Sequence, residues 1–587
     1  MNKTQANELT VDSNSQVSES KMKPHEVIRI SHLDVASIHL KDDSTLIKRP
    51  LYHKCELSAL RGECVVILGA SGTGKSLLSH LILNIESPLS ESLVFGEMKE
   101  LHRASIKLSL RPDQPSIDLL STPYPSALKG ELGVMFQSLG LFEDLSVEEN
   151  LRFANDHSRS PMNGLEWITW KKELLIKLRL SEAILNQRVN RLSGGERQRV
   201  ALGRLLAFQP KVMILDEPTS ALDSGNTTQI VEMIHKSHQE TQAILTLIIT
   251  HDYEAFLDVA DRVWFLNQHG KFEDHLPPKS LKHYREALKV PKEDESTDLA
   301  RREYIQHIAR LHDLRLSTAF KRAWQHSRQI LETLKSPWRS VYLRRFFGEV
   351  LWSALPFHLV SSFVLGAVAT YFTFNLKLGH VSTSSGQVLE VSRFILPTFF
   401  EQMLSGFSVA MWRAIVPIFT CLCVAARSGT AVTAYLCEMR DPQKRQWDAL
   451  GNLGVLPFWF FMPLLIIVFS TSCFVLSYLS FWSASLASLL TSLTINPLST
   501  LHLWYEHYSR LLEPYGYLWF EGIEMVFIKT TLSGLIIAIV SSICGSRPNR
   551  NTLDVMRSLS RANVLSVTFT LILFFIILLW ESGSWTS

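Results

Sequence analysis

Residues 69–76 read Gly69-Ala70-Ser71-Gly72-Thr73-Gly74-Lys75-Ser76, a GxxxxGK[ST] loop that follows the apolar run Cys64-Val65-Val66-Ile67-Leu68. Glycines at this spacing let backbone N–H groups curl around phosphate oxygens, and a helix opening behind them adds the partial positive charge of its N-terminus. Lys75 is expected to reach the β- and γ-phosphates of a bound ATP, and the Ser76 hydroxyl to hold Mg2+. A second apolar run, Val212-Met213-Ile214-Leu215, ends in Asp216-Glu217. Such a strand places Asp216 beside the metal at its C-terminal edge and leaves Glu217 as the candidate base for the attacking water. Either motif by itself could be a plain turn. Read together, they predict an ATP-hydrolysing site.

Further along stands Leu192-Ser193-Gly194-Gly195-Glu196-Arg197-Gln198, a second anion-binding helix start too distant in sequence to belong to the first loop. This stretch resembles the signature of ABC transporters, and the other pieces of that family follow in order. Gln137, in Phe136-Gln137, matches the Q-loop; Ser220-Ala221-Leu222-Asp223 matches the D-loop; His251, in Thr250-His251-Asp252, matches the switch histidine. The resemblance implies that Gln137 senses Mg2+ and couples to a membrane domain, and that His251 holds the γ-phosphate and orients Glu217 and water. It also implies that Ser193, Gly194, Gly195, Gln198 and Asp223 serve nucleotide binding, the signature completing the ATP site of an opposing subunit. One such domain per chain then implies a head-to-tail dimer with a second copy. Two departures stand out. Val35-Ala36-Ser37-Ile38-His39-Leu40 holds no Tyr or Phe where the family often stacks adenine, and the stretch from Lys75 to Gln137 is longer than the family norm, with the excess around Met98 to Lys129.

The elements that must hold these residues are short apolar runs alternating with longer amphipathic stretches between about Val27 and Leu276. Ile244-Leu245-Thr246-Leu247-Ile248-Ile249 joins the two runs above as a strand of a parallel sheet buried on both faces. Lys+Arg 59 against Asp+Glu 56 leaves a net charge of +3, too balanced to point to a nucleic-acid partner. The seven cysteines are scattered, with no CxxC pair, and read as reduced core or membrane residues rather than zinc or disulfide sites. The polar, Ser/Asn-rich start of the chain reads as a disordered tail, with the domain behind it cytosolic.

The second half changes character. A charged, helix-prone connector from about Lys292 to Arg339 leads into the basic and aromatic stretch Trp338–Trp352, an interfacial or solvated helix. Apolar stretches follow at about Leu355–Leu376, Phe407–Ala426, Leu456–Leu479, Ile523–Cys544 and Val564–Trp580, each near the ~20 residues that cross a bilayer. Phe481–Leu493 reads as either a sixth span or a helix extension. Lys335, Arg339, Arg344 and Arg345 precede the first span, Arg440, Lys444 and Arg445 follow the second, and Arg547, Arg550, Arg557 and Arg561 follow the fourth. That bias places these segments in the cytosol and the C-terminus outside. Before the fourth span, Trp504, Tyr505, Tyr508, Tyr515, Tyr517 and Trp519 read as an aromatic belt.

Between spans two and three lie Ala426-Arg427-Ser428-Gly429, Ala434-Tyr435-Leu436-Cys437-Glu438-Met439 and Gln446-Trp447-Asp448-Ala449-Leu450, preceded by Arg413 and Pro417. These are similar to the Mla-type permeases. Where that family carries glutamates, this sequence has Tyr435 and Ala414. The resemblance implies a phospholipid cargo, a bacterial inner-membrane location, an MCE-type periplasmic lipid-binding partner, and a coupling helix at Ala434–Asp448 that docks near Gln137. The expected fold is an α/β P-loop ABC ATPase domain followed by an all-α polytopic membrane domain of about five transmembrane helices. The expected divisions are a tail at 1–25, the ATPase at 26–290, a linker and interfacial helix at 291–352, and the permease at 353–587. Two other readings remain open: a different hydrophobic cargo, and a regulatory ATPase that moves no solute. The lack of a large external insertion counts against the latter.

Overall fold

The computed structural model describes residues 26–40, 46–70, 73–83, 93–95, 105–119, 128, 130–220, 224–240, 243–251, 254–267, 270–275, 333–375, 403–441, 443–495, 500–512, 520–547 and 552–584. The expected tail at 1–25 and most of the linker lie outside the described residues, as do Ser71, Gly72, Ala221, Leu222, Asp223, Asp252, Tyr515, Tyr517 and Trp519. The described residues group into two compact units. The first takes those within Met1–Gln137, Ser158–Ser181 and Ser193–Leu314, the second those within Ser138–His157, Glu182–Leu192 and Arg315–Ser587.

In chain order the first half forms β1 (Glu26–Leu40), β2 (Leu46–Leu60), β3 (Glu63–Gly69), α1 (Lys75–Leu83), β4 (Leu93–Phe95), β5 (Ser105–Leu108), β6 (Ile117–Asp118) and β7 (Leu132–Met135). It continues with α2 (Val147–Asp156), α3 (Gly164–Lys177), α4 (Gly194–Phe208), β8 (Val212–Asp216), α5 (Ser224–Glu240), β9 (Leu245–Ile249), β10 (Arg262–Leu266) and β11 (Phe272–His275).

The first unit holds two sheets. The apolar runs become β3, β9 and β8, adjacent and parallel in a six-stranded sheet of order β11-β10-β3-β9-β8-β7. Every residue of β8 and β9 is buried, as strands covered on both faces require. The second sheet is antiparallel, built on the long β1–β2 hairpin. The longer stretch before Gln137 supplies β5, which pairs along Ile28–Ser31 of β1, and β6, which pairs with β5 and extends that sheet.

The second unit contains α2 and the membrane-type helices. Ser146 and Glu149 close a capping box on α2, and buried Asn150 bonds both the amide and the carbonyl of Phe142. Among the described residues five helices are long and apolar enough to cross a membrane: Arg339–Thr373, Met403–Met439, Pro457–Ile495, Ile523–Gly545 and Thr552–Glu581. The helix expected at Trp338–Trp352 therefore runs on into the first span. Phe481–Leu493 is an extension of the third, a continuous 39-residue helix. First and third spans approach closely at Gly366, where a Cβ would lie 2.3 Å from the Ala484 carbonyl oxygen, so only glycine fits.

The second span is interrupted by π-helical turns at Met411–Ile415 and Ala425–Gly429, on either side of Val416–Val424. Pro417 lies between them and has no N–H to offer the Arg413 carbonyl one turn back. Lys529 of the fourth span supplies a donor instead, its Nζ 3.1 Å from that oxygen and 2.6 Å from Glu581 Oε2 of the fifth. The Lys529 side chain is 0 % exposed. A charge in such a setting persists only when paired and hydrogen-bonded, as this one is.

Candidate functional site: a phosphate loop at the strand ends

The parallel sheet sets the site. Gly69 ends β3, His251 lies two residues beyond β9, Asp216 ends β8, and Gln137 lies two residues beyond β7. Because β3, β9, β8 and β7 are successive neighbours pointing the same way, all four positions reach one edge, where open α/β sheets bind their ligands.

Lys75 opens α1 and is buried. Its Nζ donates to the carbonyls of Gly69 at 2.7 Å and Ala70 at 2.8 Å, so the ammonium folds back across the loop. Burial pulls its pKa below the ordinary lysine value, with the Glu217 and Asp216 carboxylates opposing. The Thr73 hydroxyl donates to the Ala70 carbonyl at 2.9 Å. Gly74 has φ +101°, a conformation that side chains disfavour.

Ser76 Oγ donates to Asp216 Oδ1 at 3.0 Å, and Asp216 is 2 % exposed. A hydroxyl and a carboxylate meeting at one point are the hard oxygen donors Mg2+ takes, and that ion fills its remaining positions with phosphate and water. Among the described residues no group of three or more His, Cys, Asp or Glu could hold a metal ion. Ser76 and Asp216 therefore suit the ion expected of them. Gln137 is exposed.

Glu217 has φ +51°, left-handed for a residue with a Cβ. Strain of this kind costs on the order of 1–3 kcal/mol and is held by its surroundings. Here the Glu217 amide donates to the Ile249 carbonyl at 2.8 Å, tying the residue to the end of β9. Its Oε2 lies 2.7 Å from His251 Nδ1 and accepts from the His251 amide at 3.4 Å. The imidazole is otherwise exposed. Glu217 and His251 are thus aligned by backbone geometry that no residue type announces.

The second loop is organised differently. Ser193 caps α4, its Oγ accepting from the Glu196 amide at 3.3 Å, while the Ser193 amide donates to Glu196 Oε2 at 2.9 Å. The hydrogen bonds from Ser193 hold the Glu196 carboxyl below its usual range. Gly194 and Gly195 form the first turn. Gln198 is 2 % exposed and packs inside the unit rather than at the loop surface. Among the described residues no hydrogen bond or ion pair joins Ser193, Gly194, Gly195 or Gln198 to the Lys75–Asp216–Glu217 group.

In the second unit, the expected coupling segment holds the end of the second span, turn residues at Arg440, Gln443 and Lys444, and a short helix Gln446–Asn452. Lys444 Nζ donates to Glu143 Oε2 at 2.7 Å and to Glu438 Oε1 at 2.5 Å. Burial opposes its charge, but those carboxylates outweigh it and push the ammonium up to about 12. Burial raises the Asp448 carboxyl, against Arg445 and Arg440. Arg345 Nη2 donates to the Asp144 carbonyl at 2.7 Å, and Trp338 Nε1 to Asp156 Oδ2 at 3.0 Å. Charge alternation alone did not mark Glu143 as the partner of a residue some three hundred positions away.

A P-loop nucleotide site on a parallel sheet, in one chain with five membrane-spanning helices, defines a multi-pass membrane protein with an ATPase domain. Comparison with known families agrees in both halves: residues 52–220 match the ABC transporter family and residues 345–580 match the permease MlaE family. The two matches, in this order along the chain, fit an ABC ATPase fused ahead of an Mla-type permease. Among curated proteins, the sulfate/thiosulfate import ATP-binding protein CysA of Caulobacter vibrioides is 33% identical over 234 residues, 40% of this chain and 62% of that one. Its counterpart in Bacillus cereus is 33% identical over 222 residues, 38% of this chain and 56% of that one. The chain thus spans about three fifths of the length of the curated relatives it matches. Among solved structures, the dimeric bacterial ABC transporter cassette MJ0796 is 25% identical with a TM-score of 0.35, over 43% of this chain and 100% of that one.

Proposed function

We propose that the chain is one subunit of an ATP-driven phospholipid transporter, working as a head-to-tail homodimer in a bacterial inner membrane. The observation that carries this is the convergence of Lys75, the Ser76–Asp216 pair and the Glu217–His251 pair at one sheet edge, in the same chain as an MlaE-matched permease. In this reading Lys75 exchanges its loop carbonyls for phosphate oxygens, and Ser76, Asp216 and Gln137 face the metal. Bound Mg2+ would neutralise charge on the phosphates. Glu217 takes the proton of the attacking water, with His251 Nδ1–H holding the carboxylate in place. Ser193, Gly194 and Gly195 are directed to the nucleotide of a second copy, since among the described residues of one chain they make no hydrogen bond or ion pair to the phosphate loop, and Asp223 serves the same interface.

The permease half decides the cargo. Its family match supports phospholipid, handed to or taken from an MCE-type periplasmic lipid-binding partner. Lys444, bonded to Glu143 six residues beyond Gln137, is the link through which the nucleotide cycle reaches the spans. The names of the curated relatives, sulfate importers, favour a second reading with another cargo. Lipid extraction and mass spectrometry of the purified complex, wild type against Glu217→Gln, separates them. Stoichiometric phospholipid whose occupancy changes in the variant is expected. Active ATPase without retained lipid in either form moves the cargo elsewhere.

A further inference from the structure

Tyr52 lies on β2, fully buried, outside every motif that points to the nucleotide. Its hydroxyl donates to the carbonyl of Gly74 at 2.6 Å. Gly74 is the last glycine of the phosphate loop, and its carbonyl also accepts from the Leu77 amide at 2.9 Å. Burial drives the phenol well above its usual pKa, which keeps the proton on the oxygen at any working pH. The ring is fixed as well, 5.5 Å from Phe272 of β11.

In a trans peptide the carbonyl and the following N–H point in opposite directions. Fixing the Gly74 carbonyl on the β2 side therefore fixes the Lys75 N–H on the other. That N–H is a first-turn donor with no acceptor inside the helix, the kind of group that binds phosphate. Gly74, at φ +101°, has no Cβ to restrict its own peptide, so the restriction has to come from outside the loop.

We infer that Tyr52 is a positioning residue for the nucleotide site, its hydroxyl presetting the Gly74–Lys75 peptide so that the Lys75 N–H and side chain meet the phosphates of a bound nucleotide. The inference rests on the ATP-binding reading above. Its contribution is to binding, alike in ground and transition states, so its loss raises KM and spares kcat.

The test uses the full chain in lipid nanodiscs, comparing wild type, Tyr52→Phe and Lys75→Ala for ATP turnover, for binding of a non-hydrolysed ATP analogue, and for thermal unfolding. Tyr52→Phe keeps the ring and removes one hydrogen bond. It is expected to raise KM and the analogue Kd about three- to tenfold, with kcat within about twofold of wild type. A residue that only supports the fold would reduce the active fraction, lowering kcat and Tm with KM unchanged. That pattern, or a Tyr52→Phe indistinguishable from wild type, overturns the inference. A wild type that hydrolyses no ATP, or a Lys75→Ala that matches it, instead overturns the ATP reading and this inference with it.

Discussion

The two halves of the chain treat charge in opposite ways. At the nucleotide site, Lys75, Asp216, Glu217 and His251 stand at strand ends on one sheet edge, bonded to backbone and to each other but aimed at a ligand. In the membrane half, Lys529 is fully enclosed, its ammonium donating to Glu581 and to the Arg413 carbonyl one turn before Pro417. The first arrangement keeps charges available and tolerates backbone strain at Glu217 to do so. The second spends its charge on holding three spans together. A charged residue near a proline or a π turn in a membrane helix is therefore not by itself a cargo site. Its partners decide.

The contrast is sharpest at Glu217. Glu217→Gln keeps the shape and the His251 neighbour but removes the carboxylate proposed as base, so ATP turnover should fall by about 10²–10³-fold with the melting temperature nearly unchanged. Steady-state phosphate release against thermal unfolding measures both. Retained turnover would assign the water's proton to another group.

Lys529→Met should do the reverse. Removing one partner from an enclosed pair leaves Glu581 uncompensated, at a cost of about 3–5 kcal/mol in stability, and the double variant Lys529→Met/Glu581→Gln should recover most of it. Detergent-solubilised unfolding midpoints read the difference. A stable single variant with altered lipid content would move Lys529 into the cargo path and erase the contrast.

The smallest expected effect lies at Lys444, which belongs to neither extreme. Lys444→Ala should change stability by less than about 1 kcal/mol, as partly exposed pairs do, and leave basal ATP turnover intact. ATP-dependent change in bound lipid should drop roughly three- to tenfold. The folded pKa is raised, so the ammonium's contribution is full below the ordinary 10.5 and lost only as pH climbs through about 12. Coupling measured between pH 6 and 9 should then be flat on account of this pair; a slope that disappears in Lys444→Ala would contradict it.

What was legible in the sequence follows the same division. Gly69–Ser76, Asp216-Glu217 and His251 each follow an apolar run, and strand ends are contiguous in sequence, so type and spacing suffice to read them. The spans were legible from length alone, apart from Phe481–Leu493, where composition cannot distinguish a new helix from the continuation that the structure has. Tyr52, Glu143 and the Lys529–Glu581 pair were not legible. Each works through a partner brought close only by tertiary packing, and none sits in a motif. Gln198 shares its stretch with Ser193 but faces inward, because helical periodicity turns it away from the loop.

The third span has a mechanical consequence. Its 39 residues make a rod of about 58 Å, nearly twice the ~30 Å of hydrocarbon in a bilayer. Even at a steep tilt of about 40° it rises some 45 Å, leaving about 15 Å beyond the oily layer. The far end carries Ser485 and Ser488, bonded to Tyr508 and Trp504 of the helix Leu501–Ser509, a buried polar contact within an apolar cluster that fastens the rod's end. Displacement imposed near Pro457 is thus carried along one continuous helix, past Pro463, to the contacts at Ser485 and Ser488.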